Sequence, residues 1–391
     1  MNEIVILSAV RTAIGTFGGT LADMPPADLG AVVSRAAIKR AGLDGARISH
    51  VVFGNVINTE PADMYLGRVA AMKAGVPETV PAMNVNRLCG SGVQAIVSAA
   101  QSLLLGDADL ALAGGAECMS RAPYILPQAR WGQKMGDAGA LDMMLGTLNC
   151  PFGSGHMGIT AENVAAAHGI TREEQDTFAL ESQNRAARAI AEGWFAEEIV
   201  PVEVKTRRET FTFDTDEHPR ATTLEALAKL QPAFKENGSV TAGNSSGIND
   251  GAAALVLARA NVARAEGLAV EARILGYAHA GVRPEVMGIG PVPAVELLFR
   301  KTGLDADDFD VIESNEAFAA QALAVSRALG LDPARVNPLG GAIALGHPVG
   351  ATGAILVVKA LHYLKRTGGK RGLITMCIGG GQGIALAVER P

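Results

Sequence analysis

Residues 85–117 read VNRLCGSGVQAIVSAAQSLLLGDADLALAGGAE. Val93, Ile96, Val97, Ala100 and Leu104 recur at helical spacing, and Gly106 stops the run, so a helix is predicted over 93–105. The apolar DLALA at 109–113 reads as a short buried strand, broken by Gly114-Gly115. Upstream, residues 4–9 and 50–56 (HVVFGNV) read as strands. Between them a helix over 27–41 carries Leu29, Val32, Val33, Ala36 and Ala37 on one face and ends at Gly42. Strand and helix alternate again after residue 250. Strands are expected at 252–258, 272–280, 310–314, 373–377 and 384–389, and helices at 293–301, 316–329 and 351–364. This alternation predicts an α/β fold of βαβ units on a mostly parallel sheet.

The two ends of the chain resemble each other. VNRLCG at 85–90 matches VNPLGG at 336–341, and VVFGNV at 51–56 matches VIESNE at 311–316, with Asn55 opposite Asn315. ALAGGAE at 111–117 matches TMCIGGG at 375–381, a glycine break after a strand in each case. The three pieces keep their order, which points to a duplicated unit. The middle, 120–249, is richer in Met, Pro, Gly and charge. Thr171 with Glu174 forms a capping box that opens a long polar helix reaching Gly193. The expected organisation is a first half from 1–119 plus about 250–270, an inserted loop domain at 120–249, and a second half at 271–391.

A chain of 391 residues with 48 % hydrophobic and 19 % charged residues is globular and long enough for two or three domains. A net charge of −6 without a basic stripe argues against general nucleic-acid binding. No uninterrupted apolar run of membrane length is evident. MNEIVILSAVRTA does not resemble a targeting peptide, and AVERP is not a sorting tail, so a cytoplasmic location is expected. The four cysteines, Cys89, Cys118, Cys150 and Cys377, form no C-x-x-C pair and show no zinc-ligand spacing. No disulfide framework and no metal site are expected.

Cys89 sits in NRLCGSG at a predicted helix N-terminus, where the dipole and free N–H groups favour a thiolate. It fits a nucleophile or a cysteine buried in a turn. His347, in LGHPVGATG, precedes an apolar helix, and a histidine there is either structural or functional. Cys377, in TMCIGGGQG, ends a strand, where open α/β sheets place their sites; packing is the alternative. Asn315, in SNEAF, is also at a strand end, a position that equally suits an N-cap. GHPVGATG lacks the Lys-Ser/Thr of a P-loop. CIGGGQG is neither G-x-G-x-x-G nor followed by room for a βαβ unit, so a dinucleotide fold is excluded.

NRLCGSG, SNEAF, LGHPVGATG and CIGGGQG, in this order, resemble the thiolase family. So do VRTAIGTFGG at the start, FGNV, the HMG-x-TAEN run at 156–163 and TAGNSSGINDGAAA at 241–254, and the likeness spans essentially the whole chain. EPADMYLGRVAA and SRAPY are most similar to bacterial short-chain β-ketothiolases, including those that supply polyester precursors. The resemblance implies two βαβαβαββ halves in five αβαβα layers, with a loop domain inserted in the first half. It implies that His347 activates Cys89, which takes up an acyl group from an acyl-CoA, and that Cys377 removes the α-proton of a second acyl-CoA. His347 and a water on Asn315 would form one oxyanion hole, the N–H groups of Cys89 and Gly379 the other. The insertion would hold coenzyme A, as substrate and product and not as a resident cofactor. The implied contacts are His156, Met157, Phe234, Ala242, Ser246, Met287, Ala317 and Phe318, with Leu148 nearby and Arg220 at the adenine end. EHPRATT at 217–223 departs from the family wording, as does Asn149-Cys150-Pro151, and Cys118 stands where Ser is common, as packing. The resemblance also implies a homo-oligomer, a dimer of dimers.

Two further readings stay open. A β-ketoacyl-carrier-protein synthase would carry a second catalytic His in place of Cys377 and lack the insertion. A non-catalytic acyl-CoA or lipid-binding protein would not need the intact Cys89, His347 and Cys377. Within thiolases, synthesis of acetoacetyl-CoA stands against degradative cleavage of longer 3-oxoacyl-CoA, and His156-Met157-Gly158 favours short-chain chemistry.

Overall fold

The computed structural model describes residues 3–391. In the first half, β1 (Ile4–Arg11), α1 (Pro26–Arg40), β2 (His50–Gly54), α2 (Leu66–Lys73), β3 (Ala82–Val85), α3 (Ser91–Leu105) and β4 (Leu110–Cys118) follow one another. Every residue of β1 is buried, as an apolar run covered on both faces requires. Helix α1 starts with Pro26, has Asp28 in its first turn and Lys39 and Arg40 in its last, each at the dipole end it suits.

After β4 the chain leaves the sheet. The excursion contains α4 (Met157–His168) and α5 (Arg172–Ala191) and returns as β5 (Asn249–Arg259), which pairs directly with β4, Asp250 opposite Cys118. The capping box at α5 is present: the Glu174 N–H donates to Thr171 Oγ1 at 3.2 Å, and the Thr171 N–H to the Glu174 carboxylate at 2.8 Å. The second half runs β6 (Ala272–Gly281), α6 (Pro291–Thr302), β7 (Val311–Ser314), α7 (Ala319–Leu329), α8 (Thr352–Thr367), β8 (Arg371–Ile378) and β9 (Gln382–Glu389).

The strand order is β7-β8-β9-β6-β1-β5-β4-β2-β3, with the short Gly15–Thr16 paired to β5. The sheet is mixed, not mostly parallel. Only β2 with β3 and β4, and β7 with β8, are parallel; β1, β5, β6 and β9 pair antiparallel. The reason lies in two connections that carry no crossover helix. The insertion returns β5 beside β4, and the glycines after Ile378 turn β8 straight back into β9. Only Val5–Arg273 and Ile6–Ala272 join β1 to β6. On either side of this seam the halves match: Val85 of β3 lies beside Gly54 of β2, and Val336 bridges to Ile312 of β7. Helices α1 and α2 cover the first-half strands and α6 the second, while α3 and α8 pack on each other and α8 touches strands of both halves. The stack is five layers, α/β/α/β/α.

Gly114 and Gly115 do not break a strand; β4 runs through them to Cys118. A Cβ at Gly114 would lie 2.2 Å from the Ala253 carbonyl oxygen, and one at Gly115 2.2 Å from that of Gly350. The pair is there for close approach, so the matching TMCIGGG is a turn only in the second half. One window, Leu88–Leu105, is long and apolar enough to cross a membrane by composition, although Ser91, Gln94, Ser98, Gln101 and Ser102 interrupt its apolar run. It spans α3, whose buried face packs against β2, β4 and α8.

Arg11, fully buried on β1, ties the insertion to the sheet. Its guanidinium contacts Glu198 at 2.6 Å and Asp216 at 2.7 Å, and lies 5.0 Å above the Phe195 ring. Replacing it with Met would strand two buried carboxylates. Arg11→Met is expected to cost about 3–5 kcal/mol, read as a lower urea midpoint; an unchanged midpoint would contradict this role.

Candidate active site

Three loops, one from each half and one from the insertion, meet above the ends of α3 and α8. Cys89 follows Leu88, whose φ of 46° is strained for a branched residue, and precedes the N-cap Gly90 of α3. The turn is pinned locally: the Ser91 hydroxyl donates to the Leu88 carbonyl at 2.7 Å and accepts the Arg87 N–H at 2.9 Å. Glycines let the two helix starts touch. A Cβ at Gly92 would lie 2.5 Å from the Ala354 nitrogen, and one at Gly353 2.4 Å from that of Val93. Cys89 and the loop ahead of α8 are thereby brought together.

That loop carries His347. Gly346, at φ 106°, packs on Asn249, whose Oδ1 accepts the His347 N–H at 2.9 Å. Three residues on, the Gly350 N–H donates to Glu117 at 2.9 Å. Buried Glu117 also accepts from the N–H groups of Val56 and Ile57 and the Asn55 amide, which docks the second-half loop on the first half. The His347 ring is held at both nitrogens, with Nδ1 2.6 Å from Thr352 Oγ1 and Nε2 3.5 Å from the Asn315 side-chain amide. Burial alone pushes its pKa down to about 4, so the imidazole is neutral at pH 7 and available as a base.

Cys377 ends β8 and is 1 % exposed. Burial first, and the nearby Cys89 sulfur second, push its pKa up. Cys89 is partly buried and opens onto a cavity. Burial pushes its thiol up too; the N–H groups of Gly379 and of Cys89 itself pull it part of the way back. The expectation of a helix-stabilised thiolate is therefore corrected. Desolvation outweighs the two N–H groups that reach the sulfur. The resting pair is a thiol and a neutral imidazole.

The cavity above has a volume of about 670 Å³. Cys89, His347, Cys377 and Gly379 lie at its base. Leu148, His156, Met157, Phe234, Ala242, Ser246, Met287, Ala317 and Phe318 line it, and Arg220 reaches its rim. Of the residues singled out in the sequence only Asn315 is off the wall, one contact behind His347. His156 stacks on Phe234 at 4.7 Å, and Phe234 meets Phe318 edge-on at 6.1 Å, forming an aromatic side to the channel. Its Nδ1 accepts the Gly158 N–H, capping α4. Arg220, despite the altered local wording, is anchored by a hydrogen bond to the Ala242 carbonyl at 3.1 Å. Cys150 shares an apolar cluster with Cys377 and Met157. Cys118 packs away from the site against the Leu21 and Ala22 carbonyls. Sequence reasoning missed Phe17, Met119, His218, Ile248 and Val349 on the wall, and Asn249 and Thr352 behind it. Asn249 and Thr352 fall inside the quoted motifs, so a polar residue unexplained by a cap was the available signal.

Two matched α/β halves, with two cysteines and a histidine converging under a deep channel, define a thiolase. Residues 4–261 match the family described as Thiolase, N-terminal domain, and residues 268–390 that described as Thiolase, C-terminal domain; the chain belongs to the thiolase family. It is 61 % identical over 391 residues to the beta-ketothiolase BktB of Cupriavidus necator, covering 100 % of this chain and 99 % of that one. The crystal structure of the Bacillus anthracis acetyl-CoA acetyltransferase superposes with a TM-score of 0.98 at 46 % identity, covering 100 % and 99 %. The human mitochondrial 3-ketoacyl-CoA thiolase in complex with CoA does so with a TM-score of 0.96 at 42 % identity, covering 100 % and 98 %.

Proposed function

We propose that the chain is an acetyl-CoA C-acetyltransferase, reversibly condensing two acetyl-CoA to acetoacetyl-CoA and CoA. One observation carries the reading: Cys89, Cys377, His347 and the Gly379 N–H share the floor of a single channel. In the first half-reaction His347 Nε2 takes the Cys89 thiol proton while the sulfur attacks the thioester carbonyl. The tetrahedral oxyanion lies against the N–H groups of Cys89 and Gly379, and CoA leaves as its thiol with the proton from His347. In the second, Cys377 passes its proton to His347, neutral again once CoA has left, and as thiolate takes the α-proton of a new acetyl-CoA. The resulting carbanion attacks the acetyl-Cys89 carbonyl, and the Cys89 sulfur departs as its thiol with the proton from His347, which returns to the neutral base.

Enolate charge in that step would rest on His347 and a water held by Asn315. Asn315 Oδ1 is buried without a protein partner, which fits it for holding one. The aromatic side of His156, Phe234 and Phe318 suits the pantetheine arm, and Arg220 at the rim suits phosphate. Met157, Met287 and Leu148 close the apolar end and favour short acyl groups, acetyl and propionyl. Steady-state rates with 3-oxoacyl-CoA of increasing chain length and free CoA test this. Rates are expected to be highest for the C4 and C5 substrates, and a preference for long chains would overturn the short-chain assignment.

The pH dependence follows from the buried imidazole. Because its pKa is depressed, the base stays unprotonated as pH falls through the ordinary histidine range. Enzyme acylation by acetyl-CoA is expected to hold through pH 6 and to fall only as pH approaches about 4. Stopped-flow pH jumps would show it, and an inflection near pH 6.5 would count against it.

The assembly we propose is a homo-oligomer, a dimer of dimers, with contacts in the insertion. Tyr124, Leu126, Trp131, Met135 and Leu141 are all strongly exposed within one stretch. Trp131→Glu with Met135→Glu is expected to lower the assembly mass in light scattering, and an unchanged mass would move the contacts elsewhere.

A further inference from the structure

We propose that Thr352 is a positioning residue that fixes His347 as the Nδ1–H tautomer and so keeps the ring's lone pair on Nε2, the nitrogen 3.5 Å from the Asn315 side-chain amide. This rests on the base role given to His347 above. The Thr352 hydroxyl is buried, 2.6 Å from Nδ1 and 2.9 Å from the Pro348 carbonyl oxygen. It has one proton to give. If that proton goes to Pro348, the hydroxyl must accept from Nδ1–H, and the free lone pair of the ring sits on Nε2. The opposite orientation, hydroxyl donating to Nδ1, would put the ring proton on Nε2 and leave no lone pair there to take the thiol proton.

The surroundings hold the arrangement in place. Pro348 O also receives the amide N–H groups of Ala351 and Thr352, both at 2.9 Å, so the acceptor is fixed at the start of α8. The backbone N–H of His347 is tied to Asn249, which sets the ring's distance from that turn. When Nε2 takes the Cys89 proton, the ring becomes an imidazolium with two N–H donors. The one on Nδ1 then keeps its oxygen partner, and both groups are buried. The hydroxyl thereby serves both protonation states of the ring. Without it, the buried Nδ1–H is orphaned in the neutral ring and more so in the charged one, which shifts the tautomer toward Nε2–H.

Thr352→Val keeps the shape and removes only the hydroxyl; Thr352→Ser restores it. In Thr352→Val the rate of Cys89 acylation is expected to fall by roughly 10- to 100-fold, the range seen when the group orienting a functional imidazole is lost. KM for acetyl-CoA should stay near that of the parent, and Thr352→Ser should recover most of the rate. Nitrogen-15 NMR of ¹⁵N-histidine-labelled enzyme reads the tautomer directly. Nδ1-protonated His347 is expected in the parent and in Thr352→Ser, and a mixed or Nε2-protonated ring in Thr352→Val. An Nε2–H ring in the parent overturns the assignment, as does a Thr352→Val enzyme with unchanged tautomer and rate. His347→Gln separates the two claims. Undiminished acylation there removes the base role itself, while the spectrum still decides what Thr352 does to the ring.

Discussion

Cys89→Ala is expected to lower both condensation and thiolysis by about 10⁴- to 10⁶-fold, with the fold intact. Losses of this size follow removal of a nucleophile that acts as one unit with its base. Both directions pass through the same acyl-sulfur bond, so both must fail together. Folding should tolerate the change, because Cys89 is only partly buried and Ala fills the turn after Leu88 without new contacts. Rates of acetoacetyl-CoA formation and cleavage, with circular dichroism as control, check it. A variant that keeps one direction would show that no shared acyl-enzyme exists.

Cys377→Ala is expected to divide the reaction rather than abolish it. Cys377 is not needed to form acetyl-Cys89, so the first turnover should still release one CoA per active site. Condensation should fall by about 10²- to 10⁴-fold, the range for losing a general base. Exchange of the α-hydrogens of acetyl-CoA with deuterated solvent should fall in parallel. The split is expected because burial and the neighbouring sulfur raise the Cys377 thiol, which suits it to handling a proton from carbon. Equal loss of acylation and condensation would instead assign Cys377 a part in shaping the Cys89 loop.

The two cysteines and the histidine on the cavity floor were legible because each stands in a glycine-marked turn at the end of a strand or the start of a helix. The long polar helix was legible for a local reason, the Thr171–Glu174 box. Strand direction was not, since alternation cannot tell a crossover from a return through a 130-residue excursion or from the Gly379–Gly381 turn. Gly114 and Gly115 looked like a break because periodicity carries no information about a backbone approaching from residue 350. The protonation of Cys89 was misread for a similar reason: helix position is local, while desolvation depends on what the other half brings. Thr352 and Asn249 lie inside recognisable motifs, yet their roles exist only once the loop around His347 is folded.

The account depends on an acyl group that rests on one particular sulfur of four. Cys377→Ala enzyme mixed with acetyl-CoA, quenched in acid, digested and read by peptide mass spectrometry tests this directly. One acetyl group on the peptide that contains Cys89, removed again by added CoA, is the predicted result. Acetylation at Cys150 or Cys118, or no CoA-reversible label at all, would contradict it.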